Sequence, residues 1–279
     1  MILSIFWERL MKAVLLLSTF LVSLSPIALA MSDSDMNTLK ETGKCSECNL
    51  KGSKLQSLIM PGSDLSSSNL RDAILKDINL ENANLQDTDL RRADLEKANL
   101  KNANMQEATL RNTDLEKANL NGANLQEADL REVDLENATG QNSNFSEADL
   151  RNANMKRSDF SNANFSSAKM TSANLKRATL KNAVFTKARM KDVRLSRADL
   201  ENADLSGALL GRTVFFRANL TNAKFGDANL DDAILWGAKL SGADLSGVED
   251  LKQEQLENAC GNKQTKLPKG LSIPNCEAD

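Results

Sequence analysis

Four cysteines are the residues best able to do chemistry in this 279-residue chain: Cys45 and Cys48 in a C-x-x-C, and Cys260 and Cys276 near the C-terminus. As thiolates, such residues exchange disulfides or bind soft metals. The chain has no histidine, which removes mixed Cys/His metal sites and c-type haem attachment. A thioredoxin-type reading of Cys45-Ser46-Glu47-Cys48 needs a βαβ setting that the surrounding pattern lacks. The 38 Asp and Glu residues could be paired anywhere into a nominal acid and base. They recur with an internal repeat, so their proximity carries no specificity for catalysis. With no nucleophile and base arrangement and no glycine-rich phosphate loop, the chain is not expected to be an enzyme. No catalytic residue, cofactor site or metal ligand is assigned.

The repeat decides what positions these residues. Every fifth residue from Leu50 to Leu245 is Leu, Met or Phe, with Gly140 the single break. The preceding two positions hold a small residue and then mostly Asn or Asp, as in Ala83-Asn84-Leu85-Gln86-Asp87. Five residues turn an α-helix by about 500°, so these apolar residues would spiral around it without forming a stripe. In a flat strand they would alternate between faces. The remaining solution is a chain that turns a corner every five residues and sends each large apolar residue, with the small one behind it, into a narrow interior. Asn, Asp and Gly at the corners suit tight turns.

This A-(N/D)-L-x-x motif, unbroken in register from about Cys48 to Gly247, resembles the pentapeptide-repeat family. The resemblance implies an all-β solenoid: a right-handed quadrilateral β-helix with four pentapeptides per coil and about ten coils. At strand spacing it would be about 45 to 50 Å long. The expected organisation is a signal peptide over 1–30, an N-terminal cap over 31–47, the β-helix over 48–247, and a C-terminal cap and tail over 248–279. The cap segments read as short helices, one ending at Gly43 and one carrying Leu251 and Leu256. The proline-containing tail from Leu267 to Asn275 reads as extended.

Arg9 and Lys12 precede an apolar run that ends in Ala28-Leu29-Ala30, the pattern of a secretory signal peptide. A start at Met11 makes the cleaner signal, and cleavage would leave a mature chain from near Met31 with no stable membrane span. The expected location is outside the cytoplasm: periplasm, thylakoid lumen or extracellular space. On a rod of the implied length the two cysteine pairs cannot meet, so a site using all four within one chain is excluded. In an oxidising compartment one disulfide per cap is the expected arrangement, with redox chemistry at Cys45 and Cys48 as the alternative. The sequences around both caps resemble exported cyanobacterial members of the family.

Four pentapeptides per coil turn the exterior into columns of residues twenty apart. Arg71, Arg91, Arg111, Arg131 and Arg151 form one column. Arg177, Arg197 and Arg217 continue a corner begun by Lys97, Lys117 and Arg157. Like charges some 5 Å apart repel, so the arginine column needs neighbouring carboxylates or an external anion. From Lys169 to Lys224 cations outnumber acids, a candidate contact for an acidic partner. Phe216 and Trp236 stack twenty apart on the outside, covered either by the C-terminal cap or by a homodimer contact at that end. Gly140 implies a kink or a void, and in the latter case Gly140→Leu should stabilise the core.

The sequence therefore reads as a non-enzymatic exported scaffold that presents charged side-chain columns to an unknown protein partner. Nucleic acid is not an expected partner, since stacking aromatics are scarce. The alternative, should the protein prove cytoplasmic, is a mimic of duplex DNA, as in the gyrase-binding quinolone-resistance members that the resemblance brings in.

Overall fold

The computed structural model describes residues 33–276, so the expected signal segment lies outside the described residues. A local rule builds nearly everything between the caps. In Leu70-Arg71-Asp72-Ala73, the Ala73 N–H donates to the Leu70 carbonyl at 3.1 Å, and Asp72 takes φ +61°. A closing bond with positive φ at the third residue is the type II turn. The same turn recurs at five-residue spacing, with Asn, Asp and Gly at many of the left-handed positions but also Lys97, Glu127 and Arg157. Side chains disfavoured there are held because each turn is also locked between coils: the Asp72 N–H donates to the Arg91 carbonyl at 3.0 Å.

Between turns the chain is extended for only a residue or two, and pairs in parallel with the residue twenty further on. The series Asp64 to Asn84, Asn84 to Asn104, and Asn104 to Asn124 is typical. The result is a β-helix with four turns for each twenty-residue advance. The residue before each core position stabilises it twice. Asp64 Oδ1 accepts the Ser66 N–H at 3.2 Å, closing an Asx turn across the corner. Asn84 Nδ2 then donates to Asp64 Oδ1 at 3.1 Å, and Asn104 to Asn84 at 3.3 Å, forming an amide ladder along the rod. A second ladder joins left-handed asparagines, Asn102 to Asn82 and Asn182 to Asn162.

The interior holds the large residue of each repeat and the small one two before it, nearly all fully buried. Where that small residue is Thr, its hydroxyl finds a carbonyl: Thr88 Oγ1 reaches the Leu65 oxygen at 2.9 Å and Thr213 Oγ1 the Met190 oxygen at 2.7 Å. The space at Gly140 is not a void. A Cβ built there falls 2.2 Å from Phe160 Cε1, because the Phe160 ring turns into the gap and packs edge-on to Phe145 and Phe165 at 5.4 and 5.9 Å. The expectation that leucine at 140 would fill an empty site is thereby overturned, and the Gly140 N–H keeps its bond across the coil to the Asp159 carbonyl.

Both ends are closed. Helix α1, Asp33–Thr42, buries Met36 and Leu39 and carries Asp33 and Asp35 in its first turn, where they suit the helix dipole. It stops at Gly43, whose φ is +67° and whose N–H returns to the Leu39 carbonyl. Asp35 Oδ2 accepts the Asn49 N–H at 2.8 Å, tying α1 to the first coil. At the other end parallel pairing continues past 247 with longer loops, Lys239 to Cys260 and Asp244 to Lys266. Helix α2, Gln253–Leu256, buries Leu256. Gln255 Nε2 donates to the carbonyls of Leu230 and Ala233 at 2.9 and 2.8 Å, covering edge acceptors of the last full coil. The extended tail folds back, with Cys276 N–H on the Gly261 carbonyl.

Candidate interaction surface

The cysteines fall into two local pairs, separated by the whole repeat array. Cys45 and Cys48 have Cα atoms 5.4 Å apart, and Cys260 and Cys276 have Cα atoms 4.7 Å apart. Both separations suit a disulfide. Among the described residues no cluster of Cys, Asp and Glu could hold a metal ion, and no helix is long and apolar enough to cross a membrane.

The arginine column turns out to carry its own counter-charges. Arg91 clamps Asp89 with Nε at 2.7 Å, and Arg131 and Arg151 clamp Asp129 and Asp149 through Nε at 2.7 and 2.8 Å. Each clamp lies within one Asp-Leu-Arg unit, and the two side chains flank the buried leucine. Arg111 follows Thr109 and reaches instead to Asp129 at 4.0 Å, while Arg71 lies 3.7 Å from Asp72. Burial raises the Asp89 and Asp149 carboxyls, but the hydrogen bonds from the arginine side chain and backbone N–H, together with the arginine charges, outweigh it and hold both below the usual range. On the next side, hydrogen bonds from Lys76 and Lys97 bring Glu96 down to about 2.

The pattern changes at residue 169. The positions that hold Asp and Arg around Leu150 hold Lys169 and Thr171 around Met170, then Arg189 and Lys191 around Met190. Lys169 and Arg189 are bridge neighbours and exposed, and neither they nor Lys187 and Lys191 form an ion pair among the described residues. Within the basic stretch, Lys181 is satisfied by Asp199 and Glu201 at 3.3 and 2.8 Å, and Arg212 by Asp192 at 2.7 Å. Arg177 and Arg197 stay exposed and form no ion pair among the described residues. Arg217 lies over the rings of Phe216 and Trp236, 5.2 and 5.8 Å from their centroids, as a cation on aromatic faces.

The C-terminal cap does not cover that aromatic pair. Phe216 and Trp236 stack with centroids 5.0 Å apart, and Glu254, Gln255 and Asn258 border only a shallow groove beside Trp236. Trp236 remains 46% exposed and Ile234 47%. Three further exposed apolar residues escape sequence reasoning, Ile59 at 79%, Leu209 at 52% and Ile74 at 38%. All three occupy the position before the core residue, where Asn or Asp is the rule, and that departure was the available signal. The pairing of Asp89, Asp129 and Asp149 with the arginines was also legible, as a recurring D-L-R triplet, once residues two apart are known to flank one buried side chain.

Comparison with known proteins agrees with this architecture. The profile of the pentapeptide repeat region matches residues 88–165 and 158–235, and that of pentapeptide repeats in eight copies matches 44–82. The crystal structure of HetL, a pentapeptide repeat protein involved in heterocyst differentiation regulation from the cyanobacterium Nostoc sp. strain PCC 7120, is 26% identical over 88% of this chain and 100% of its own, with a TM-score of 0.50. The plasmid-mediated fluoroquinolone resistance protein QnrB1 is 17% identical over 70% of this chain and 88% of its own, with a TM-score of 0.40. A pentapeptide repeat protein of the Arabidopsis thaliana thylakoid lumen is 30% identical over 45% of this chain and 73% of its own, with a TM-score of 0.17. Among curated proteins none matches. The profiles together span most of the described residues and fall on the same five-residue turns that build the β-helix, and the chain belongs to the pentapeptide-repeat family.

Proposed function

We propose that this protein is an exported, non-enzymatic scaffold: a right-handed, four-sided β-helix of about ten coils, closed by one disulfide at each end, that binds an acidic protein partner. Its contact is the side carrying Lys169, Lys187, Arg189 and Lys191. The observation that carries this reading is the loss of counter-carboxylates there. Upstream, each clamped arginine has an aspartate two residues away; around Met170 and Met190 the same positions hold Lys169 and Thr171, then Arg189 and Lys191, with no carboxylate among them. A row of like charges at strand spacing is repulsive unless an anion is supplied from outside. The rigid backbone fixes the spacing, so an acidic strand or helix edge would meet a pre-organised set of donors. Membership of a family of structural and interaction scaffolds supports the non-enzymatic part, and the signal-type sequence over 1–30 supports export. The same cations weigh against duplex-DNA mimicry, which requires an acidic rod.

Cross-linked pull-down from the exported fraction tests the proposal. The triple variant Lys169→Glu, Arg189→Glu, Lys191→Glu should lose a partner that the wild-type protein retains at low salt and releases at high salt. Retention of the same partner by the triple variant, or recovery of the protein from the cytoplasm, would overturn it.

A further inference from the structure

One side of the β-helix changes character along its length. Its central column runs through consecutive parallel bridges from Lys54 and Ile74 to Asp94, Asp114 and Asp134, then Asn154 and Asn174, and on to Arg194, Val214 and Ile234. The side is acidic in its first half and basic in its second, with Ile74 before the acidic run, Val214 and Ile234 beyond the basic one, and Lys54 at its start. None of the three aspartates forms an ion pair among the described residues, and neither does Arg194. Asp94, Asp114 and Asp134 each accept only the N–H two residues on, at 3.0, 2.9 and 2.9 Å, with Asn154 Nδ2 added at Asp134. Burial and then repulsion from Asp94, Asp134 and Glu116 push the Asp114 carboxyl above its usual range, so this ladder is not neutralised from within.

We infer that this side is a self-complementary interface on which a second copy of the chain lies antiparallel. The two-fold axis would cross the rods between Asp134 and Asn154. An axis in the plane of the contact preserves each column and reverses its direction. Asp134 then meets Asn154 of the second copy, Asp114 meets Asn174, Asp94 meets Arg194, Ile74 meets Val214, and at the ends Lys54 lies over Ile234, which its aliphatic stem can cover. The neighbouring column obeys the same reflection: Glu116 comes level with Lys176 of the second copy, and Glu136 with its Lys156, although Glu136 already holds Lys156 and Arg157 of its own chain at 3.2 and 2.7 Å. Lys76 comes level with the ring of Phe216. At the corner, Lys97 and Lys117 approach Arg197 and Arg177, but each lysine already holds a glutamate, Glu96 at 3.0 Å and Glu116 at 2.7 Å. The exposed Ile74, isolated in a single chain, thus acquires an apolar partner from the far end of the same column.

The second copy fits better than an unrelated partner because one arrangement satisfies both halves. A uniformly acidic or basic ligand would match half of the side and repel the other. From Lys54 to Ile234 the column spans about 43 Å at strand spacing. With a width near 10 to 12 Å the contact buries on the order of 1,000 Å² in total, the lower edge of specific interfaces, so a dimer of micromolar affinity is expected. This contact is lateral, unlike the end-on homodimer suggested by Phe216 and Trp236 alone. It also leaves the side with Lys169, Arg189 and Lys191 free.

Charge exchange tests it by sedimentation velocity from about 1 to 100 µM, the range that brackets such affinity. Wild-type protein should shift from monomer to dimer. Asp94→Lys and Arg194→Asp should each weaken the dimer about tenfold or more, since each places two like-charge pairs across the axis. The double variant should recover it. Lysine is tolerated in this column at Lys54, and unchanged melting confirms that the variants fold. A wild-type protein that stays monomeric across the range would overturn the inference. So would a dimer that survives either single exchange, or that the double variant does not restore. The triple variant of the basic side should dimerise normally, so the two proposals fail separately.

Discussion

At Gly140 a single hydrogen replaces a whole side chain, and the cause lies twenty residues away. Phe160 occupies the space, so Gly140 and Phe160 are one packing decision written at two positions. Gly140→Leu should therefore destabilise the protein by about 1 to 3 kcal/mol, the usual effect of overpacking. Adding Phe160→Leu should recover most of that, and thermal or urea unfolding would read both. Asp114 shows the opposite problem on the surface. Its folded carboxyl holds the proton more tightly than the unfolded one, so its contribution is most favourable at acid pH and is lost as pH rises through the raised value. Asp114→Asn should consequently raise the melting temperature at neutral pH and change it little below about pH 3, where aspartate is largely protonated in both states. Glu116, Asp94 and Asp134 surround it in either state, and Asn154 and Asn174 show that the column accepts the amide.

The turn is the element that carries the fold, and its legibility was uneven. The five-residue period located every corner and both inward positions, because core geometry admits few residue types. It did not reveal that Lys, Arg and Glu also take the left-handed position, since that conformation is imposed by bonds between coils and not by local preference. Nor did it reveal the amide ladder at the position before each core residue, which needs a partner twenty residues away. The caps were legible as departures from the period, though α2 is only one turn long and the surrounding segment closes the end through Gln255 and the returning tail. A bond between Cys260 and Cys276 would close a loop around that tail. Cys260→Ser with Cys276→Ser should cost about 2 to 4 kcal/mol. In a chain whose coils contact only their neighbours, the loss should appear first as hydrogen exchange in the last coils, with the middle of the rod still protected.

Across the whole molecule, surface charge is organised by side and by distance along the axis together. Sequence columns alone showed like charges in a row and left open whether carboxylates or a partner balanced them. The structure separates the cases: the Arg71 to Arg151 column is largely balanced by its own aspartates, whereas the cations around Met170 and Met190 and the Asp94 to Asp134 ladder are not. What decides is whether a carboxylate stands two residues before the arginine across one buried leucine, a relation with meaning only once the side of the β-helix is known.

Pairing at an interval of twenty also sets a rule for how such a chain can change length. Inserting or deleting twenty residues in the middle adds or removes one layer and leaves every later residue on its original side. A change of five residues keeps every inward position inward, so the core and the amide ladder survive. It nevertheless moves all downstream columns on by one turn of the chain and parts Asp94 from the side that holds Arg194. Chain growth in this architecture is therefore quantised twice, in fives for folding and in twenties for recognition.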